Sequence, residues 1–491
     1  MYIIKRLFSL IFFLFFITMT AQFPEDVPYQ TIFDDTPPLP DLYESVIDNS
    51  VPDPIEITRI TTYLPDWDWY PHHEYSKIQP WNADASLYKF YSNMICDAQT
   101  HELLYKIQDA GSIYPTYWAN TDPDLLYGFL LNGDIKTYSV AHQEVVVRDH
   151  VYYDEASQEN YEYFKLGPGE GNFDKNDHYV AFVGKYGSDM DVIIYDLQQY
   201  EVLLKQTFPG AWEDGPDYAP KYVDWVSVSQ SGDYVVIMWN HDTCSASNPF
   251  NGHYGVEVYD RTDMNFLRRI ADYGNHGDLG YAQDGDEVLV QFWGPTGTVN
   301  MYYLDREERV VIQTNDDFGG EGHISCRNLN RPGWAYVSQD EPERSGQIVA
   351  VKLDDSGLVE HFGHHYGTAA SYLKSPMPVP APNGDQIMFK SDFGDTDSEV
   401  IYTFTARKYE VTGDLGIKAD EIKIYPNPAS EYIYLSTDKS LKSVRLFNPA
   451  GVSVYHSNKK LPVNVKDLPA GLYFLQIQTD TGMQTKKILI Q

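Results

Sequence analysis

The chain has three cysteines in 491 residues, Cys96, Cys244 and Cys326, far apart and in no metal-ligand spacing. That excludes a disulfide framework and a zinc finger. At most one disulfide can form, and the three read as small buried residues. Basic residues are scarce: 36 Lys and Arg face 71 Asp and Glu, a net charge of −35. A surface this acidic repels phosphate backbones and argues against a nucleic-acid partner. It suits a solvated extracellular protein, with or without divalent cations nearby. Past the N-terminus no apolar run approaches the ~20 residues of a membrane helix, so no transmembrane segment is expected in the mature chain. Also missing are a phosphate-cradling Gly loop, a Gly-x-Ser-x-Gly elbow and a His-Glu-x-x-His helix.

What is present favours strands. The 40 tyrosines, 23 phenylalanines and 9 tryptophans fit pleated surfaces, with sugar or peptide stacking as the competing use. Residues 224–260 carry the pattern most plainly. A short apolar run enters a polar turn at Ser231-Gly232-Asp233. A β-rich run follows, and a second alternating run stops at Tyr259-Asp260. The pattern recurs at 78–107, 112–147, 163–208, 223–270, 277–314, 322–362 and 372–405. That spacing, roughly 35 to 50 residues, is that of propeller blades. The expected fold is all-β, a seven-bladed β-propeller over 55–406. The last unit lacks a fourth strand after Thr405, while the run 55–63 precedes the first unit without a place. It is expected to close the ring by pairing into the final blade.

The ends differ from the middle. Residues 1–21 read as a secretory signal peptide: Lys5 and Arg6 lead an apolar stretch too short to span a bilayer, and Ala21 precedes the cut. Residues 22–54, dense in Pro and Asp, read as an arm extended on the domain or disordered. A polar linker covers 407–418. In 419–491 lysines return and short alternating strands outline a small C-terminal β-sandwich.

Two stretches resemble known families. Tyr-Asp strand endings and the turn Pro382-Asn383-Gly384 resemble TolB-like propeller repeats, although Gln230-Ser231-Gly232 and Gln283-Asp284-Gly285 replace the turn proline. The tail carries Tyr425-Pro426-Asn427-Pro428, Val444-Arg445-Leu446-Phe447-Asn448, Leu468-Pro469-Ala470-Gly471-Leu472-Tyr473 and Lys486-Lys487-Ile488. In order and spacing these are similar to the type A C-terminal sorting domain of type IX secretion. The resemblance implies export by the type IX machinery of a Gram-negative bacterium, leaving the cargo secreted or on the outer cell surface.

A propeller gathers function at its channel mouth, where inner strands begin. Ahead of or within those strands stand Asn172, Asp224, His276, Asp278, His323, Arg327 and Lys374, with Glu170 and Tyr372 nearby. In one reading His276 and His323 bind a divalent metal, or one acts as a base. Asp278 then orients it, and Arg327 or Lys374 neutralises a carboxylate. In the other, these groups simply hydrogen-bond adjacent blades. The first arrangement resembles oligogalacturonate lyases in architecture, with histidines of successive blades on a metal beside a basic group; that ligand set does not map here residue by residue. Imidazoles sharing an ion beside a basic group in an open funnel would favour an enzyme. Buried, separately bonded imidazoles would favour a binding module. Trp67, Trp69 and Trp81 form a second candidate, an aromatic platform for sugars or a staple for the arm. The acidic run 392–399 lacks a calcium-loop spacing and reads as a hydrated hairpin tip. The expected function is an extracellular module binding polysaccharide or a surface protein; the alternative is a metal-assisted polysaccharide lyase or glycan hydrolase.

Overall fold

The structure, a computed structural model, describes residues 36–491 apart from 66–68, 92, 108–111, 168–169, 217, 294–296, 314–321, 341–345, 369–370, 396–398, 410–422, 426, 437–440, 449–452, 458–461, 467 and 480–482. The expected signal peptide, most of the linker and Trp67 lie outside the described residues. Two compact units divide the chain, 1–409 and 410–491.

Unit 1 is built from antiparallel sheets that follow one another along the chain. The first contains Leu87–Phe90, Met94–Asp97 and Leu103–Lys106. The second contains Thr116–Trp118, Leu125–Phe129, Asp134–Ser139 and Glu144–His150. The third runs from Tyr163–Leu166 to Glu201–Phe208 and the fourth from Val223–Val228 to Phe266–Ala271. The fifth runs from Gly277–Tyr281 to Arg309–Gln313 and the sixth from Ile324–Ser325 to Val359–His364. A small hairpin, Tyr152–Asp154 with Glu159–Asn160, is inserted before the third sheet.

The strands are apolar on both faces because each face meets a different neighbour. In the fourth sheet Val235, Ile237 and Trp239 pack against the third, while Val236 and Met238 pack against the fifth. Side-chain period two thus turns the run Tyr234–Trp239 into two half-interfaces. Analogous cores join the first sheet to the second, second to third, fifth to sixth and sixth to seventh. Tyr88 and Phe90 of the first sheet share a core with Met388 of the last, so the series closes on itself as a propeller.

The turns explain the recurring Tyr-Asp. The carboxylate of Asp260 accepts the Thr262 amide at 2.8 Å, and that of Asp196 accepts the Gln198 and Gln199 amides, both at 2.8 Å. These are Asx turns into the fourth strand. Gly232 and Gly384 sit at φ 83° and 69°, a left-handed turn position that a side chain strains.

The last sheet takes its outer strands from the N-terminus. Its order is Val379–Pro380, Gln386–Ser391, Tyr402–Lys408, Ile55–Arg59 and Ser45–Asp48. Ile55–Arg59 supplies the missing fourth strand, with Ile55 and Ile57 fully buried. Ser45–Asp48 adds a fifth, so this part of the arm is ordered sheet edge. Four residues between Pro- and Asp-rich stretches carry too weak a pattern to reveal it.

Unit 2 holds two sheets, Lys423–Tyr425 with Tyr432–Ser436 and Val463–Asn464, and Ser453–Ser457 with Leu441–Phe447, Gly471–Thr479 and Met483–Ile490. Ile433 and Val463 of one share a core with Val444, Leu475 and Ile488 of the other. The three cysteines are unpaired and buried. Among the described residues no helix is long and apolar enough to cross a membrane.

Candidate functional site

Side chains from six successive sheets and their leading segments meet at one end of the ring. Tyr75 and Lys77 precede the first sheet, Glu170 lies within the third, and Asp224 sits on the inner strand of the fourth. His276, His323 and Tyr372 precede the inner strands of the fifth, sixth and seventh.

His276 and His323 stack, with ring centroids 4.6 Å apart and planes 22° from parallel. Tyr75 meets His323 edge-on at 5.4 Å, and the exposed Tyr372 lies 5.5 Å from His323 and 6.3 Å from His276. Each imidazole is held at Nδ1. That of His276 donates to the Gly322 carbonyl at 2.9 Å, and that of His323 donates to Asp340 at 3.0 Å. A carbonyl and a carboxylate can only accept, so each neutral ring keeps its Nε2 lone pair. His323 is 1 % exposed and its Nε2 has no partner. Burial holds its pKa below the usual histidine range; Asp340 pushes back, while His276 and Lys390 add to the depression. Protonation would bury an N–H at Nε2 with no acceptor, so His323 is an acceptor at neutral pH.

Acids line the other side. Lys77 reaches Glu170 at 2.8 Å and lies over Trp225 at 4.4 Å. Asp224 is exposed to the opening, yet enough protein surrounds it that burial, then the charge of Glu170, lifts its carboxyl to about 6. Lys77 and His276 pull the other way.

Behind His323 stands Lys390, 2 % exposed, whose Nζ contacts Met377 Sδ at 3.1 Å. Burial lowers its pKa to about 8 against the pull of Asp340. Lys390 in turn adds to the depression that burial imposes on the nearby buried His73. Tyr75, Lys77, Asp340 and Lys390 were not singled out by sequence reasoning. Only Lys390 carried a signal, a cation inside the apolar strand Gln386–Ser391.

Other sequence candidates are engaged elsewhere. Arg327 forms a two-pronged pair with Asp278 at 2.9 and 3.1 Å and also donates to the Leu279 carbonyl at 3.0 Å. Both are buried, and Asp278 further accepts the Cys326 amide at 2.7 Å. Asp278 therefore braces the fifth sheet to the sixth and does not orient His276. Lys374 is buried against Asp392 at 2.8 Å, so neither cation is free to neutralise a ligand carboxylate. Asp392 is likewise core, not the hydrated tip expected for 392–399. Asn172 is half-buried, and its backbone amide donates to Ser227 Oγ at 3.0 Å. Trp81 is 1 % exposed, within the core shared by first and last sheets, and presents no face to solvent. Trp69 is half-buried, 5.4 Å from His72.

A shared metal does not fit the histidine pair. Rings this close and this parallel carry their in-plane lone pairs side by side, so one ion cannot lie in both ring planes. Among the described residues no three His, Cys, Asp or Glu side chains are placed to hold an ion.

Residues 423–491 match the Por_Secre_tail family, described as a secretion system C-terminal sorting domain. This segment is a type IX sorting domain, which makes the chain a secreted or cell-surface protein handled by that machinery. No curated protein matches the chain. Among solved structures, an oligogalacturonate lyase in complex with manganese is similar at TM-score 0.53 and 13% identity, over 76% of this chain and 97% of that one. A second oligogalacturonate lyase, from Vibrio parahaemolyticus, gives 0.49 at 12% identity, over 74% and 96%. The Pan2 WD40 domain of Neurospora crassa gives 0.43 at 10%, over 72% and 95%. At these identities the likeness to the first shows a propeller fold and nothing of the activity.

Proposed function

We propose that this chain is an extracellular or cell-surface glycan-binding module. In this reading it is a seven-bladed propeller over 55–406, led out by a signal peptide at 1–21 and carried across the outer membrane by a C-terminal sandwich at 419–491. One observation supports the binding role above the rest. At the mouth, exposed Tyr372 with half-buried Tyr75 and His276 offer aromatic faces, and Asp224 beside them offers an open carboxylate. Sugar recognition needs that pairing, an apolar face for the ring and an acceptor for its hydroxyls. The histidines are separately hydrogen-bonded and the candidate cations are paired internally, as a binding module requires. The test is retention of the mature chain on a panel of immobilised polysaccharides, with Tyr372→Ala alongside. Retention on at least one glycan, lost in the variant, is expected. No retention on any glycan overturns the reading in favour of a protein partner.

A second reading, a glycan-cleaving enzyme at the same mouth, is favoured by the His323–Asp340 pair. A carboxylate behind Nδ1 leaves Nε2 as a general base without a metal. Release of reducing ends or unsaturated products from the same panel, abolished in His323→Phe, would establish it.

A further inference from the structure

We propose that the mouth selects a saccharide carrying a primary ammonium, an amino-sugar unit, and rejects uronates. This deepens the glycan reading and rests on it. Charge sets the selection. Among the described residues, the basic side chains named above are committed: Lys77 to Glu170, Arg327 to Asp278 and Lys374 to Asp392, with Lys390 buried. His323, also buried, is kept from charging by that burial. Asp224 remains, exposed to the opening and in no ion pair among the described residues, with Lys77, His276 and His241 near enough to favour its charge, while Glu170 is paired with Lys77. A uronate would bring a second carboxylate into this field with no counter-charge, and like charges in a partly desolvated cleft repel strongly. A protonated amine brings the missing charge and three donors.

A separate observation points to a ligand in the same place. The Nε2 of His323 is a buried acceptor with no donor, on the ring edge turned away from Asp340 and bordered by Tyr75 and Tyr372. Leaving such a group unbonded costs roughly 1–3 kcal/mol. A hydroxyl or ammonium of the bound unit relieves it. Tyr372, more than half exposed, then meets the flat face of the sugar ring. That aromatic face favours a saccharide over a lysine-bearing peptide.

Titration calorimetry on the mature chain tests this with glucosamine hexamers, N-acetylglucosamine hexamers, galacturonate hexamers and an oligolysine peptide. The glucosamine oligomer should bind at least tenfold more tightly than its N-acetyl form, and the galacturonate oligomer should not bind. Asp224→Asn should erase the tenfold preference while keeping the melting temperature. Should that variant fail to fold, the wild-type pH profile decides: affinity for glucosamine oligomers should fall between pH 7 and pH 5, as Asp224 takes up its proton. Equal affinity for the glucosamine and N-acetyl oligomers, or tighter binding of galacturonate, overturns the charge argument and leaves glycan binding standing; tighter binding of oligolysine overturns the saccharide and assigns the acidic mouth to a basic peptide. Absence of binding to every saccharide sinks the glycan reading itself.

Discussion

The rings of His276 and His323 lie 4.6 Å apart and 22° from parallel, each donating from Nδ1 to an acceptor the other does not touch. Stacked side by side, they cannot hold one ion between them. Protein dialysed against buffer should therefore carry well under one equivalent of manganese, zinc or calcium at this site, and chelator should leave its melting temperature unchanged. A retained equivalent that His323→Ala loses would contradict the ring geometry.

Lys390 is a destabilising group kept in place. Its ammonium is harder to hold in the fold than in water, which lowers its pKa from 10.5 to about 8. Below pH 8 the folded chain must carry a buried charge, and the penalty disappears as pH rises from 8 towards 10.5. The difference corresponds to about 3 kcal/mol. Lys390→Met should thus raise stability at pH 7 by roughly 1–3 kcal/mol in urea unfolding, with the gain shrinking by pH 10. A loss of stability at pH 7 would assign the amine a net favourable contact.

Arg327 and Asp278 should behave as one structural unit. Arg327→Ala leaves a buried carboxylate unpaired, expected to cost about 3–5 kcal/mol. Removing both charges with Arg327→Met and Asp278→Leu should recover much of that loss. Denaturation curves of the two variants check this. If the single and double variants are equally destabilised, the pair is not coupled as described.

The propeller was legible because blades repeat. Period-two apolar runs, glycine turns and the Asx-turn aspartates recur at a fixed spacing, and each is a local signal. The unpaired run at Ile55–Arg59 was legible by subtraction, since one blade lacked a strand. The mouth was legible as a location but not as chemistry. Glu170, Asp224, His276, His323 and Tyr372 converge as their blade positions imply. Yet Arg327 and Asp278, 49 positions apart, find each other across a sheet boundary, and nothing local announces that pairing. Lys77, Asp340 and Lys390 lie outside the inner-strand positions where function was sought. Their roles depend on tertiary burial, which a single chain's local pattern does not carry.

Closure by the N-terminal strand should dominate the stability of unit 1. Ile57 is fully buried between the outer strand and the sixth sheet. Ile57→Ala is expected to cost about 2–5 kcal/mol. Deleting 55–63 should abolish the cooperative melt of the propeller, because the last sheet then ends in an unpaired inner edge. A melting temperature unchanged by the deletion would mean that the ring closes through another contact.

Asp48 makes the same closure sensitive to acid. Its carboxylate, at the end of the fifth strand, accepts the backbone amide and Nδ1–H of His364 in the sixth sheet, both at 2.8 Å. Burial alone would raise its pKa, but the bonds from His364 and Ser50 outweigh it and bring the value down to about 2. A carboxyl whose pKa falls on folding stabilises the fold above its unfolded value, near 3.8, and that stabilisation drains away as pH drops from 4 to 2. The amount is about 2 kcal/mol. Asp48→Asn should therefore lower stability at pH 6 by roughly that much, while at pH 2 wild type and variant should converge. Parallel curves, with a constant gap from pH 6 to pH 2, would show that Asp48 contributes through packing and not through its charge.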